Sequence, residues 1–278
     1  MGSAPTCALH VFAIANAPNP ALPPSRGKGA PNLRGHAVTV QDTPAPRQPS
    51  PAVEIGWALA SSALLAALIG YYNGWIWALA GVVGVFVHEY GHVLAINALG
   101  AGPGRIRIIP FVGGAATMRR APDSDFKGVL ISLAGPSFGL IAAIPFFLLA
   151  RQTGDGRWLG GAFFVGIINL INLAPAPPLD GSKALGPALA RIHPILERIA
   201  LVLVGIVAVV WAVRTGNWIF GVFVGIATLG AVRAGTPRAS ARPLDAVEWI
   251  AAVSLWLIAL GLCMGVIAFA SVGPGSLS

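Results

Sequence analysis

His88, Glu89 and His92 form a His-Glu-x-x-His pattern inside the apolar run from Trp75 to Leu99, and Asp180 follows in Pro177-Pro178-Leu179-Asp180-Gly181. On a helix the two histidines share one face, about 6 Å apart along the axis. Two neutral imidazoles so placed can hold one cation. Zinc is an ion whose catalytic sites use three protein ligands and keep a position for water. In this pattern the intervening carboxylate is the general base, so Glu89 could take a proton from water. The third ligand must come from elsewhere, because no acid or histidine closely follows His92 within the run. Asp123 and Asp125 lie in a polar loop, Glu197 stands beside Arg198, and Glu248 opens the last apolar run. Asp180 is the best-placed acid, since Pro175-Ala176-Pro177-Pro178 before it prevents regular helix. Non-helical backbone at membrane depth lines a cavity or is buried in protein. Taken alone, Asp180 reads rather as the N-cap of a helix that starts near Ser182.

The setting gives the pattern its weight. His-Glu-x-x-His fixes only three positions and occurs by chance in soluble helices. A charged group at the bilayer centre costs at least ~2.5 kcal/mol on the insertion scale, so polar residues there are functional candidates. Of the five histidines only His88 and His92 fall in apolar runs; His10 and His36 are in the N-terminal tail and His193 is in a connection. Asn169 and Asn172 lie three apart on one face of the run Phe163 to Ala174. Buried amides can join helices, or they can hold a substrate backbone and stabilise the oxyanion of an attacked peptide carbonyl. Asn172, nearer to Asp180, is the candidate for the second role, and Asn169 is read as helix-to-helix glue.

These residues need elements that hold them in hydrocarbon. Mean hydropathy is +0.75 and charged residues make up 10% of the chain, against about 25% in a soluble domain, which gives an all-α polytopic membrane protein. Runs long enough to cross ~30 Å of hydrocarbon extend over Val53–Tyr72, Trp75–Leu99, Gly128–Ala150, Trp158–Pro175, Leu196–Val213, Trp218–Val232 and Ala246–Ala270, hence six or seven transmembrane helices. The formal charge of +8 does not indicate nucleic acid, because the basic residues occupy short connections and do not gather on one soluble face. With the N-terminus inside, fifteen Lys and Arg fall on the inner side and only Arg151, Arg157 and Arg214 outside. That imbalance predicts a cytoplasmic N-terminus and an external C-terminus for seven spans. It places His88 and His92 in the cytoplasmic half of their helix, in what is read as the cell inner membrane.

Residues 1–52 hold 10 of the 23 prolines and no sustained period, so they read as a disordered cytoplasmic tail; residues 53–270 form the membrane domain and 271–278 a short tail. Cys7 to Ala17 lacks a preceding basic residue and is not read as a cleaved signal, and Gly2 to Thr6 is read as a chance match to a myristoylation pattern. Cys7 and Cys263 have no zinc-like spacing. Arg105-Ile106-Arg107-Ile108-Ile109 alternates at period two and is followed by Phe111 to Met118, predicting one or two short strands joined through Gly113-Gly114. They read either as a surface hairpin or as an edge that an extended peptide could join.

His88-Glu89-Tyr90-Gly91-His92, Pro110-Phe111-Val112-Gly113-Gly114, Ser132-Leu133-Ala134-Gly135-Pro136 and Asn172 to Gly181 together resemble, in order, the motifs of the site-2 protease family of intramembrane zinc metalloproteases. The resemblance runs from about Trp75 to Leu185. It implies that His88, His92 and Asp180 bind zinc, that Glu89 activates water, and that Asn172 assists substrate or transition-state binding. It also implies a short membrane-associated β segment, and cleavage of a substrate's transmembrane segment near the cytoplasmic face. The lipid bilayer and a membrane-protein substrate are the implied partners. The chain departs from the family's usual pattern at Ser182, where a second Gly often follows Asp-Gly, and at Gly139, where an Asn often follows Ala-Gly-Pro. No insert is long enough for a PDZ domain, and the C-terminal tail is too short for a CBS pair. The alternatives are a catalytically inactive membrane-binding or regulatory relative of the same fold, and a di-iron hydroxylase, which needs more His or carboxylate ligands than the chain offers.

The charge imbalance generates a direct test of orientation. A reporter active only in the cytoplasm, fused after Pro122, is expected to be active, and one fused after Asp155 inactive; the reverse pair of results would invert the topology.

Overall fold

Apolar runs become helices because a backbone in hydrocarbon must satisfy its own hydrogen bonds. The computed structural model describes residues 51–109, 113–234 and 242–272. The readings of the tail, of its Cys7 and of the C-terminal segment after Val272 lie outside the described residues.

Among the described residues, ten α-helices and one hairpin follow in order. Helix α1 (Pro51–Asn73) and α2 (Trp75–Ala98) lead into strands β1 (Arg105–Ile109) and β2 (Gly113–Thr117). Helix α3 (Asp125–Gly139) passes through a 3-10 turn, Leu140–Ala143, into α4 (Ile144–Thr153), and α5 (Arg157–Asn172) follows. The chain continues with α6 (Asp180–Ala184), α7 (Gly186–Ile192), α8 (Pro194–Arg214), α9 (Trp218–Ala234) and α10 (Ala246–Ser271). Among the described residues four helices are long and apolar enough to cross a membrane: α2, the continuous α3 to α4 stretch Asp125–Thr153, α8 and α10.

The expected run Gly128–Ala150 is present but is not one regular helix. Pro136 removes a donor inside α3, and the ladder tightens to 3-10 geometry directly after Gly139. The run expected over Trp158–Pro175 ends as a helix at Asn172, giving 16 residues or about 24 Å. Pro175, Pro177 and Pro178 explain the early stop, and residues 173–179 continue through turn hydrogen bonds such as Ala176 N to Ala174 O (2.8 Å) and Leu179 N to Ala176 O (2.9 Å).

The two strands pair antiparallel with Arg105 opposite Thr117 and Ile109 opposite Gly113. This corrects the reading of Gly113-Gly114 as the joint. Both glycines pair inside β2, and the joint is residues 110–112, outside the described residues.

Among the described residues the core is three apolar clusters, two large and a small one of Ile96, Ala101 and Ile131. One large cluster gathers Val129, Leu133, Leu173, Ala184, Ala188, Ala252 and Cys263 from α3, α5's end, α6, α7 and α10. The other joins Ile76 and Ala80 of α2 to Phe146, Ala162, Val165 and Ala270. Helix α10 belongs to both and therefore braces α3 and α5 together. By contrast, α8 and α9 pack chiefly on each other, with α7 leading into α8.

Aromatic residues mark one end of the bundle. Trp75 at the start of α2 meets Trp158 edge-on at 5.2 Å, the arrangement of an interfacial belt. His88 and His92 lie 13 and 17 residues along α2, roughly 20 and 26 Å from that end at 1.5 Å per residue. In ~30 Å of hydrocarbon this sets them toward the opposite end, where β1 and β2 follow.

Helices α2 and α3 approach closely through Gly91. A Cβ there would lie 2.6 Å from the Ala134 carbonyl oxygen and 2.7 Å from Phe138 Cβ. Gly91→Ala is expected to destabilise the protein by about 1–3 kcal/mol through overpacking, read as a lower thermal midpoint; an unchanged midpoint would contradict the close approach.

Candidate metal centre

Helix α2 carries His88 and His92 one turn apart, and the proline-broken segment turns Asp180 back toward them at the first position of α6. His88 Nε2 lies 3.0 Å from Asp180 Oδ2, His92 Nε2 lies 3.1 Å from the same oxygen, and the two Nε2 atoms are 3.2 Å apart. Both imidazoles are buried, at 4% and 6% exposure. Asp180 does not cap its helix: the residue at the cap position, Leu179, offers no side-chain bond, and Ser182 Oγ donates to the Leu179 carbonyl.

The far sides of the rings decide what the near sides can do. His92 Nδ1 lies 2.7 Å from the Ile131 carbonyl oxygen, which can only accept. His88 Nδ1 lies 2.9 Å from Asn169 Oδ1, and the amide orientation is set because Asn169 Nδ2 donates to the Val165 carbonyl at 2.8 Å. Each Nδ1 therefore carries a proton, and in the neutral ring each Nε2 presents a lone pair. Three lone-pair atoms then face one another in a buried space. A cation is what such a set binds, and ligands tied back by hydrogen bonds to carbonyl oxygens are the usual outer arrangement of metal-binding histidine. A tetrahedral zinc site with bonds of ~2.0–2.1 Å has ligand–ligand edges of roughly 3.3–3.4 Å, close to the three spacings here. His88, His92 and Asp180 also form a group able to hold a metal ion among the described residues. The donor set fits zinc.

Glu89 is buried beside this group, and its Oε2 has no hydrogen-bond partner among the described residues. A buried carboxylate oxygen left open is uncommon and marks a place where a proton or polar ligand is to be received. The backbone N–H of Ala116 in β2 approaches the same carboxylate, tying the hairpin to the centre.

The structure brings together His88, His92 and Asp180, with Glu89 next to them. Asn172 is different: its Nδ2 donates to the Ile168 carbonyl of its own helix at 3.0 Å. Asn169, read from the sequence as glue, touches a candidate ligand directly and is fully buried. Its signal in the sequence was only an amide in an apolar run. Trp256 was also missed. Its indole N–H donates to the Leu173 carbonyl at 3.0 Å, while Trp249 donates to Ala188, so α10 holds the segment that carries Asp180 from both sides.

Residues 76–155 match the family model of peptidase family M50. This is the site-2 protease family. The M50 match includes His88, Glu89, His92, the hairpin and the Ala134-Gly135-Pro136 turn of α3, and it ends before Asn169, Asn172 and Asp180. Neither the curated proteins nor the solved structures gave a match.

Gly135, in the M50 segment, makes the centre possible. A Cβ at this position would overlap the His92 ring and lie 2.8 Å from His88 Nε2. It stands four residues after Ile131, so its bare surface lets the His92 ring reach the Ile131 carbonyl. Gly135→Ala is expected to displace both imidazoles and reduce bound zinc below one per chain while helicity by circular dichroism is kept. Full zinc occupancy in this variant would contradict the packing.

Proposed function

We propose that the protein is an intramembrane zinc metalloprotease that hydrolyses peptide bonds in transmembrane segments of other membrane proteins. The observation that supports this best is the meeting of three lone pairs, from His88, His92 and Asp180, beside a buried carboxylate with an open oxygen. Family M50 supports a metalloprotease, and the apolar helices support a membrane protein. His88, His92 and Asp180 hold the metal. Bound there, zinc supplies a Lewis acid that acidifies water and polarises a carbonyl.

Glu89 takes the proton from the attacking water and later passes it to the departing amine nitrogen, the general base and acid in turn. Asn172 assists substrate or transition-state binding, for which its amide leaves the Ile168 carbonyl. A substrate helix must unwind before its peptide bond is accessible, and an extended chain can pair with the edge of the β1–β2 hairpin. The contact of Ala116 with Glu89 supports that location, because a strand added there runs past the base. The domain crosses the bilayer six or seven times with a cytoplasmic N-terminus in the cell inner membrane. The centre then lies toward the cytoplasm, into which the product is released. Its partners are lipid and a membrane-protein substrate, with no nucleic acid.

Co-expression with a panel of single-span reporters tests the reading. Wild type is expected to cleave at least one, and Glu89→Gln to lose about 10²–10⁴ in rate while retaining zinc. Equal cleavage by both chains would refute the protease assignment. Asp180→Ala is expected to lower zinc affinity, and unchanged affinity would remove Asp180 from the ligand set.

A further inference from the structure

We infer that Asn169 is the positioning residue that fixes His88 as a metal ligand, and that Gly139 exists in its present form to give Asn169 room. The inference rests on the metal reading above and adds Asn169, which lies outside both the His-Glu-x-x-His pattern and the M50 match.

The amide is fully buried and is held at both ends. Its Nδ2 donates to the Val165 carbonyl within α5 at 2.8 Å, and its Oδ1 receives the His88 Nδ1 proton at 2.9 Å. Because the first bond fixes which amide atom faces α2, the second fixes the tautomer of His88. With the proton kept on Nδ1, Nε2 is left as the ligand atom. Without the acceptor, the proton is free to occupy Nε2, where it competes directly with a cation.

The place of Asn169 is created across the bundle. A Cβ on Gly139, at the end of α3, would collide with Asn169 Oδ1 and lie 2.8 Å from both its Cγ and its Nδ2. Any side chain at 139 therefore pushes the acceptor away from His88 without altering α5. His92 needs no such residue, because the Ile131 backbone carbonyl serves it. The two ligands are thus oriented by different means, one of them replaceable by mutation.

Zinc affinity of the full chain in detergent micelles, measured by competition with a chromophoric chelator, tests this without substrate. Asn169→Leu keeps the volume and removes the acceptor; Gly139→Ala keeps Asn169 and displaces it; Asn169→Asp keeps an acceptor toward His88. The first two are expected to bind zinc 10–100-fold more weakly, and the third to bind no more weakly than wild type, since its added negative charge is a cost to the fold and favours the cation. Wild-type affinity in both Asn169→Leu and Gly139→Ala would overturn the inference. So would an Asn169→Asp affinity as weak as that of Asn169→Leu, which would make Asn169 a packing residue. Gly139→Ala carries the test where Asn169→Leu does not fold. A wild-type chain that takes up no zinc would overturn the metal reading itself and this inference with it, so the two failures are separable.

Discussion

Two imidazoles and a carboxylate held within hydrogen-bond distance inside an apolar bundle impose the constraint that the surrounding elements meet. Such groups are stable there only if every proton and lone pair has a partner, since an unpaired buried polar group costs about 1–3 kcal/mol. The Nδ1 protons go to Ile131 and Asn169, and the lone pairs meet at one point. Helix α3 comes close enough to supply the first acceptor because Gly135 lacks a side chain. Helix α5 supplies the second. The break after α5 brings Asp180 back, and α10 fastens that break through Trp256.

Local order in the bundle follows this demand. A cation site tolerates little displacement, and the elements that carry the candidate ligands are braced on several sides: α2 by α3 and α5, and the Asp180 segment by α3 and α10. Helices α8 and α9 have no ligand to hold, and they pack mainly on each other. Proline breaks serve the same end. A continuous α5 would carry Asp180 past the histidines, whereas a helix that stops at Asn172 and restarts at Asp180 lets the chain reverse while the N–H groups of residues 173–179 stay paired.

Much of this was legible in the residues, for reasons that differ by position. His88, Glu89 and His92 stand out because helical spacing is local and their hydrocarbon setting makes chance unattractive. Asp180 was legible as an acid after a break, but its place beside the two histidines rather than at a cap was not, because that depends on where the chain turns in three dimensions. The runs of apolar residues gave the helices, yet the early end of α5 and the 3-10 turn after Gly139 depend on proline and packing details that hydropathy averages away. Gly113 and Gly114 were misplaced as a joint because glycine favours turns; pairing with Ile108 and Ile109 overrode that preference. Asn169 was undervalued since a lone amide in a membrane helix carries no mark of its partner. The departure at Gly139 was visible, but its meaning required seeing what fills the space beside it.

The choice of an amide to orient His88 has an electrostatic logic. A carboxylate beside a ligand histidine also fixes the tautomer. With zinc held here, ionised Asp180 and Glu89 would balance its two positive charges. A third carboxylate would leave a net charge in a medium where uncompensated charge is expensive. A neutral amide accepts the same proton without adding to that sum. Its second function, a bond to the Val165 carbonyl of its own helix, keeps the buried N–H₂ group from being stranded. Asparagine satisfies both geometry and charge at this place, and its amide occupies the space that a side chain at Gly139 would take.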